Sequence, residues 1–515
     1  AVFKFAGCSS EDAREGNIPG GELDGKAYLS LSLQSHTATS RAVDTKPGSS
    51  GESKAGTVKV LLFDEDDVCL DVADFDGLTV GNSGGESGGT GTPEAVASDA
   101  KLVPEKTKKV FVVINPYADG NKGWNLTADA VKGKPWSVIN TAIEAVIANI
   151  ATDENFMMAS AGKGTGIEGA LTKVTVHKPT AYTSEAINQA KTDAQSDPAK
   201  ISVDRLSAKV ELAVKESFST KPDGATFAFS GWELSVTNKS VKLYSELITY
   251  DNATTGAVYR RDKNYLKSEQ PDISDNSTME TNMDAAFNYL KNIDSDTDPI
   301  PEIKRDKGTS CYCLENTMDA NAQQLGFTTK VVVKAKYTPY GLNENSSYFS
   351  WKGNYYTLDQ LKEEYTKTGS GGLKTDLPIF LKKAKLVAGD ADQSTIDNFI
   401  TNLQASGLTA KTGIIGRFCA VRYYHESVCY YDVLIRHDQS VIEKMALGRY
   451  GVVRNNWYHL ELQSVSGPGT PWIPDPSDPD NPTPPGTDDD EADAYISVKI
   501  TINPWTYWTQ GVDLH

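Results

Sequence analysis

Two seven-residue stretches near opposite ends of the chain carry one pattern. The first is Ala27-Tyr28-Leu29-Ser30-Leu31-Ser32-Leu33 and the second is Ala494-Tyr495-Ile496-Ser497-Val498-Lys499-Ile500. Three positions are identical, three exchange one aliphatic residue for another, and only Ser32 and Lys499 differ in kind. Because side chains alternate between the two faces of a strand, each stretch predicts a β-strand with one aliphatic stripe. Two segments with the same stripe can occupy the same groove.

A polar linker follows the first stretch, whose stripe is Leu29, Leu31 and Leu33. Residues 36–42 are polar, with Arg41 as their one basic residue. A protease can thread such a linker in extended form. We therefore interpret the first stretch as a removable strand.

A long tether precedes the second stretch, whose stripe is Ile496, Val498, Ile500 and Ile502. This tether spans residues 467–493, with seven prolines between residues 471 and 485 and an acidic run after them. Because proline fixes φ and like charges repel, we expect this segment to be extended and unable to fold back compactly. The second stretch is then a substitute strand on a tether. Pairing of the two copies within one sheet is the alternative.

Length and charge limit the possible classes of protein. The chain has 515 residues, which predicts two domains with extensions. A net charge of −18 argues against nucleic acid as a partner. No apolar run reaches the roughly 18 residues that span a bilayer.

Many short strand patterns with long insertions predict a mainly β protein with two tandem β-sandwich (transthyretin-like) domains and a few short helices. One helix is expected over residues 136–152, and the domain boundary near residues 215–224. The predicted segments are 1–8 (signal peptide tail and lipobox), 9–41 (propeptide with the removable strand), 42–218 (N-terminal sandwich), 219–466 (C-terminal sandwich), 467–493 (tether) and 494–515 (donor strand segment).

The first eight residues resemble the end of a bacterial lipoprotein signal. Ala6 and Gly7 directly precede Cys8, which suits signal-peptidase cleavage and acylation of that cysteine, for example with palmitate. Lys4 and Phe5 depart from the usual pattern. A truncated secretory signal with an incidental cysteine is the alternative.

The remaining cysteines and the histidines offer no clear catalytic or metal site. Cys311 and Cys313 are spaced too closely for a zinc ligand pair, and buried free thiols explain the cysteines best. Cys429 lies four residues after His425, but no oxyanion loop or third partner accompanies them. We therefore predict no enzyme activity, no metal and no cofactor.

Several segments, in the same order along the chain, resemble Bacteroidetes type V pilins, and most of all the shaft subunits of minor (Mfa-type) fimbriae. They include Cys8, the strand of residues 27–33 with Arg41 after it, 110–115, 200–205, 313–317, 331–339, 450–459 and the C-terminal strand with Trp505. The segment Val452-Val453-Arg454-Asn455-Asn456-Trp457-Tyr458-His459 is the most specific of them.

The resemblance implies a structural subunit of a cell-surface fimbria, exported as an outer-membrane lipoprotein precursor. An Arg-specific or trypsin-like protease would cut after Arg41 and leave Ala42 as the new N-terminus. The C-terminal strand of another copy, with Trp505 extending the contact, would then fill the groove. Implied partners are further copies, anchor and tip pilins, and host or bacterial receptors in adhesion and biofilm formation. A tip adhesin or glycan-binding surface lipoprotein that does not polymerise is the alternative.

Overall fold

A computed structural model of the protein describes residues 22–35, 46–75, 77–81, 96–119, 122–162, 169–249, 258–261, 271–292, 303–367, 371–438, 443–492 and 495–506. Within these ranges, no helix is both long and apolar enough to cross a membrane. Cys8, Arg41 and Ala42 lie outside the described residues.

The described strands are β1 Lys26–Leu29, β2 Leu31–Ser35, β3 Lys46–Pro47, β4 Val58–Phe63, β5 Cys69–Asp74, β6 Val80–Gly81, β7 Lys101–Pro104, β8 Lys109–Ile114, β9 Ala118–Asp119, β10 Lys122–Gly123, β11 Ile143–Glu144, β12 Met158–Ser160, β13 Thr172–Lys173, β14 Ala199–Arg205, β15 Ser207–Thr220, β16 Thr226–Ser235, β17 Thr237–Asn238, β18 Ser240–Val241, β19 Glu246–Thr249, β20 Val258–Arg261, β21 Phe287–Asn288, β22 Ser310–Leu314, β23 Lys330–Thr338, β24 Tyr348–Trp351, β25 Asn354–Tyr356, β26 Arg422–Tyr424, β27 Val428–Leu434, β28 Asn456–Val465 and β29 Ile496–Thr506. The described α-helices are α1 Ala128–Val131, α2 Trp136–Ile139, α3 Ile147–Ile150, α4 Ser184–Ser196, α5 Asn276–Ala286, α6 Leu358–Thr366, α7 Leu373–Lys383, α8 Gln393–Asn402 and α9 Ala410–Ile415. The mainly β prediction is confirmed.

The N-terminal half is built on an eight-stranded sheet. Its strand order is β5-β4-β8-β12-β14-β2-β6, with β13 paired to β8. Side chains alternate along β4, so that Val60 and Leu62 enter one hydrophobic core while Leu61 and Phe63 enter a second core on the opposite face. Burial on both faces explains why β4 and β8 are almost continuously apolar in sequence.

The C-terminal half contains a β-sandwich. One sheet has the order β22-β15-β28-β29-β3, and the other has the order β16-β23-β27. Their inner faces share one core, in which Leu212, Trp232, Val333 and Leu460 are buried. The inward residues of the two sheets thus form the core between them, as in a β-sandwich.

Two sequence-based boundaries are wrong. β15 begins at Ser207 and pairs with β22 and β28 of the C-terminal sandwich, so the chain changes sheets at Leu206 and not near residues 215–224. The helix expected over residues 136–152 is two single turns, α2 and α3, separated by β11. In both places the apolar residues follow a regular pattern, but contacts with other parts of the fold determine which secondary structure forms and where it ends.

Four of the nine described α-helices, α6 to α9, are gathered in one insertion. Helices α6 to α8 pack around a separate core that includes Leu361, Leu377, Phe380 and Ile396. Phe349 of β24 and Tyr423 of β26 belong to the same core. The insertion therefore rests on the small β25-β24-β26 sheet.

Candidate strand-exchange site

The N-terminal copy of the repeated pattern spans β1 and β2, of which β2 lies inside the eight-stranded sheet. β1 pairs antiparallel with β7, from Lys26 opposite Pro104 to Leu29 opposite Lys101. After Ser30 the chain continues as β2, which lies parallel between β14 and β6. The strand predicted to be removable is thus an interior strand with backbone partners on both sides.

The aliphatic stripe of this copy is fully buried. Leu29, Leu31 and Leu33 are 1%, 0% and 0% exposed and belong to one core with Val103 of β7 and Val203 of β14. Fully burying each such side chain contributes about 1.5–3 kcal/mol. Loss of residues 26–35 would therefore open an apolar groove with unpaired backbone groups on the flanking strands.

The polar positions of this copy also have specific partners. Ser30 Oγ donates to the carbonyl oxygen of Ser98 at 2.7 Å, and the amide of Leu31 donates to Ser98 Oγ at 3.0 Å. The backbones of Tyr28 and His177 exchange two hydrogen bonds of 2.8 Å. The ring of Tyr28 packs against Ile187 and other residues of α4. The face of the strand opposite the aliphatic stripe therefore also makes specific contacts with the rest of the protein.

The chain beyond the linker is anchored independently of the removable strand. Glu52 is 3% exposed and accepts hydrogen bonds from Lys209 Nζ at 2.7 Å and from the hydroxyl of Tyr312. Burial raises the pKa of this carboxyl, but these hydrogen bonds outweigh burial and hold the pKa below its usual value. Buried Arg205 also donates to the carbonyl oxygen of Glu52 and to Ser53 Oγ.

The C-terminal copy lies in the C-terminal sandwich. β29 pairs antiparallel with β28, from Ile496 opposite Val465 to Pro504 opposite Asn456. Ile496 is buried, and Val498 and Ile500 are partly buried against the same core. Ile502 and Trp505 lie on this strand, and their side chains are outside the described residues.

The two copies occupy different sheets, so the alternative that they pair with each other is wrong. β2 lies in the sheet of the N-terminal half, whereas β29 lies between β28 and β3. β3 pairs with Trp505 and Thr506, and it is the first strand after the linker that holds Arg41. The far end of the C-terminal strand therefore touches the segment that follows the predicted cut.

The Pro/Asp segment before β29 is docked on the C-terminal half, contrary to the expectation of an extended tether. We call residues 467–492 the strap. Trp472 and Ile473 are 4% and 0% exposed, and the backbone of Ile473 makes two hydrogen bonds with the side chain of Asn292. The backbones of Thr470 and Tyr430 pair at 2.8 and 3.0 Å. Burial of Trp472 and Ile473 on the body therefore outweighs the proline stiffness and the charge repulsion that favour an extended segment.

Acidic residues of the strap meet basic and hydroxyl groups on the body. Asp478 accepts from Arg417 Nε at 2.7 Å, and Asp490 accepts from Arg449 Nη2 at 2.7 Å. Asp489 is 2% exposed and accepts from the hydroxyl of Thr328. Burial raises the pKa of Asp489 to about 7. Charge therefore holds the strap in place, whereas the sequence analysis expected it to extend the strap.

Three of the motifs that carry the resemblance converge where the two halves meet. Arg205 Nη1 donates to Asn455 Oδ1 at 3.2 Å, and Asn455 Nδ2 donates to Asp204 at 2.9 Å. Next to them, Arg454 Nε donates to Glu315 Oε1 at 3.2 Å. All five side chains are less than 10% exposed. This network was not predicted from the sequence, although the charged residues inside strand-like motifs were a usable signal.

The cysteines and histidines form no catalytic arrangement within the described residues. Cys429 lies in the core of the C-terminal sandwich, where burial raises the pKa of its thiol to about 11. His425 lies in the turn before β27 and its Nδ1 is 3.0 Å from the hydroxyl of Tyr423. A deeply buried neutral thiol is inert, because the thiolate is the nucleophile. The five described cysteines are free thiols.

Comparison with solved structures finds fimbrial and adhesion proteins of low sequence identity. A candidate cell adhesion protein of Parabacteroides distasonis is 12% identical, covers 94% of this chain and 99% of its own, and has a TM-score of 0.42. A fimbrilin of Porphyromonas gingivalis is 14% identical with coverages of 94% and 99% and a TM-score of 0.32. The tip fimbrial protein Mfa3 of the same species, truncated at its C-terminus, is 11% identical with coverages of 93% and 100% and a TM-score of 0.33.

A protein-family comparison matches residues 422–511, which run from β26 through the strap to β29. The matching family is described as "Major fimbrial subunit protein type IV, Fimbrillin, C-terminal". The predicted resemblance to fimbrial subunits is thus supported over this C-terminal part of the chain. The C-terminal part of the chain, with the strap and the second copy of the pattern, is similar to the C-terminal part of the major fimbrial subunit proteins of the fimbrillin family.

Proposed function

We propose that this protein is the structural shaft subunit of a cell-surface fimbria that polymerises by strand exchange. In this proposal Cys8 carries the lipid of an outer-membrane precursor, a protease cuts after Arg41, and residues 1–41 leave with β1 and β2. The C-terminal segment of another copy then fills the groove. The family match supports a fimbrial, adhesion-related function, and the further steps are proposed here.

The observation that carries the proposal is that one pattern occurs twice and is an interior strand at its first position. Cleavage at Arg41 would remove that interior strand and leave an apolar groove lined by Val60, Val103 and Val203. A groove flanked by strand edges recruits a strand of matching pattern. The second copy supplies the same spacing of aliphatic residues at the other end of the chain.

The anchoring of Glu52 supports the same order of events. Because Lys209, Tyr312 and Arg205 hold residues 52–53, the cut chain stays attached to the body ten residues after Ala42. The network of Asp204, Arg205 and Asn455 also lies outside the segment that leaves. Loss of the strand would therefore open the groove without separating the two halves.

Polymer growth follows from the different positions of groove and donor. The groove lies in the N-terminal half and β29 lies in the C-terminal half, so contact between two copies is heterologous and leaves one free groove and one free donor. Such contacts propagate into filaments instead of closing into dimers. Anchor and tip pilins would end the filament, and receptors on host or bacterial surfaces would be its ligands.

The pairing of β29 with β28 favours a second candidate, a surface protein or tip adhesin that does not polymerise. Here the C-terminal strand completes its own sheet, with Ile496 in the sandwich core. Under the shaft proposal the same pairing is a storage position, which the strand leaves when a groove opens. The two candidates differ in whether β29 ever contacts another copy.

Processing variants in cells that assemble the fimbria test the proposal. Arg41→Ala should leave a lipid-labelled monomer of precursor size, whereas Arg14→Ala, which removes an arginine elsewhere in the leader, should polymerise normally. Arg41→Lys separates an Arg-specific protease, which would not cut it, from a trypsin-like one. Normal polymers from Arg41→Ala would refute cleavage at this site.

Deletion of residues 494–515 tests the donor. The truncated chain should be exported and cut but should not elongate, as seen by electron microscopy of protein sheared from the surface. Filaments of normal length from the truncated chain would refute the donor role of this strand.

A further inference from the structure

We propose that the C-terminal pattern enters the groove of a second copy in the direction and register of the N-terminal pattern. Tyr495 then takes the place of Tyr28, and Ser497 takes the place of Ser30 next to Ser98. This inference rests on the proposed strand exchange and adds its orientation, its register and Ser98 as the residue that selects the register.

The residues that are identical in the two copies have specific functions at the first position. Ala27 is completely buried, and Ser30 is 1% exposed with its hydroxyl bonded to the carbonyl oxygen of Ser98. Tyr28 is 6% exposed and packs on α4, with Lys191 Nζ at 5.5 Å from its ring centre. A small residue, an aromatic residue and a hydroxyl are each required there.

Tyr495 and Ser497 have no such functions at the second position. Tyr495 is 53% exposed, and Ser497 is exposed on the face of β29 that points away from the sandwich core. Pairing with β28 requires only the aliphatic residues at 496, 498 and 500. The tyrosine and serine of the C-terminal copy are therefore explained by the groove of another copy and not by their own sheet.

Ser98 distinguishes the correct register from shifted ones. Its amide donates to the carbonyl oxygen of Leu31, its hydroxyl accepts from the amide of Leu31, and its carbonyl accepts from Ser30 Oγ. A shift by one residue would turn the aliphatic stripe to the wrong face. A shift by two keeps the stripe but brings Tyr495 or Lys499 to Ser98, where neither fits a hydroxyl-sized position that is 1% exposed.

One position of the donor is mismatched in this register. Lys499 replaces Ser32, which is 3% exposed. Burying the base of a lysine next to β14 weakens the inserted state, because the charged end must reach water. In its own sheet Lys499 is exposed, so Lys499→Ser should leave the free subunit unchanged and favour insertion.

Cysteine pairs placed in two different chains test the register. Ser30 Oγ and Ser98 Oγ are 3.4 Å apart, so Ser98→Cys in one chain and Ser497→Cys in another should form a disulfide between copies in the polymer. Ser202→Cys with Thr501→Cys tests the direction, because Ser202 is paired with Gln34, the residue that Thr501 replaces. Ser30→Cys with Ser98→Cys in uncut protein is the positive control within one chain, and Tyr495→Cys or Lys499→Cys with Ser98→Cys are the shifted registers.

We expect crosslinks for the 98–497 and 202–501 pairs and none for the shifted pairs. Crosslinks to position 495 or 499 instead would overturn the register while leaving strand exchange intact. Polymers without crosslinks to position 98 or 202 would overturn the groove itself, and with it the proposed function. Elongation rates give a second readout that does not use cysteines: Ser497→Ala should slow elongation about fivefold, the effect of one hydrogen bond, and Lys499→Ser should speed it. Slower elongation by Lys499→Ser would contradict the register.

Discussion

Replacing Leu31 with alanine should destabilise the uncut precursor but not the cut subunit. Leu31 is 0% exposed in the core shared by β2, β4, β8 and β14, and truncation of such a leucine costs about 2–5 kcal/mol. At a urea dependence of about 3 kcal/mol per molar, the unfolding midpoint of the N-terminal half should fall by roughly 1 M. Hydrogen exchange in β14, which pairs with β2, should locate the loss.

The control is Leu102→Ala, a truncation of a leucine that is 39% exposed on β7. It should cost less than about 1 kcal/mol, and its effect should persist after cleavage because residue 102 remains in the chain. After cleavage at Arg41, the Leu31→Ala and wild-type chains have identical sequences, so their midpoints must converge. An Leu31→Ala precursor as stable as wild type would refute the central position of this strand. A difference that persists after processing would refute the cut that removes it.

Three further variants probe the strap and the anchor. Arg417→Ala leaves buried Asp478 without its ion pair and should lower the stability of the docked strap by about 3–5 kcal/mol, seen as faster proteolysis within residues 467–492. The control is Lys383→Ala, whose partner Asp480 is exposed and which should lower that stability by less than about 1 kcal/mol. Equal proteolysis of the two variants would contradict the docked strap. Because the pKa of Asp489 is raised to about 7, its contribution to folding is largest below the pKa of an unfolded aspartate and is lost as the pH rises through 7. Protection of the strap from hydrogen exchange should therefore fall over this pH range in the wild type but not in Asp489→Asn. A pH profile unchanged by the substitution would exclude Asp489 as the cause. Glu52→Ala leaves buried Lys209 without its carboxylate, so residues 48–53 of the cut subunit should exchange faster, an effect that Glu154→Ala, at an exposed ion pair with Lys54, should not reproduce.

The strands could be predicted from the sequence because their signals are local. Alternation in the two repeated stretches and continuous apolar character in β4 and β8 follow directly from which faces are buried. The change of sheets at Leu206 could not be predicted, because β14 and β15 have similar patterns and only their partners differ. The prediction of one helix over residues 136–152 was wrong for the same reason. Its apolar residues pack in the core from two short helical turns, and their spacing alone does not distinguish this from one long helix.

The site was predictable in part. The burial of Leu29, Leu31 and Leu33 agrees with their stripe, whereas the docked strap was missed. Composition describes what a segment does in water, and seven prolines with an acidic run favour extension there. Composition does not reveal that Arg417, Arg449 and Thr328 on the body bind the aspartates of the strap. Such partners lie tens of residues away, and only the fold brings them together.

The burial of the two copies indicates which way exchange runs once the groove is open. Leaving β28 costs the backbone hydrogen bonds of β29, and entering the groove forms new backbone pairs with β14 over five residues and with β6 over two. Two aliphatic side chains favour the same direction, because Val498 and Ile500 pass from partial burial to positions that are 0% exposed, whereas Lys499 opposes it. Tyr495 passes from 53% exposed to a position that is 6% exposed, which alone contributes about 2 kcal/mol at 25 cal/mol per Å². Under the proposed exchange β2 fills the groove until cleavage, so cleavage would set the timing and burial would set the direction.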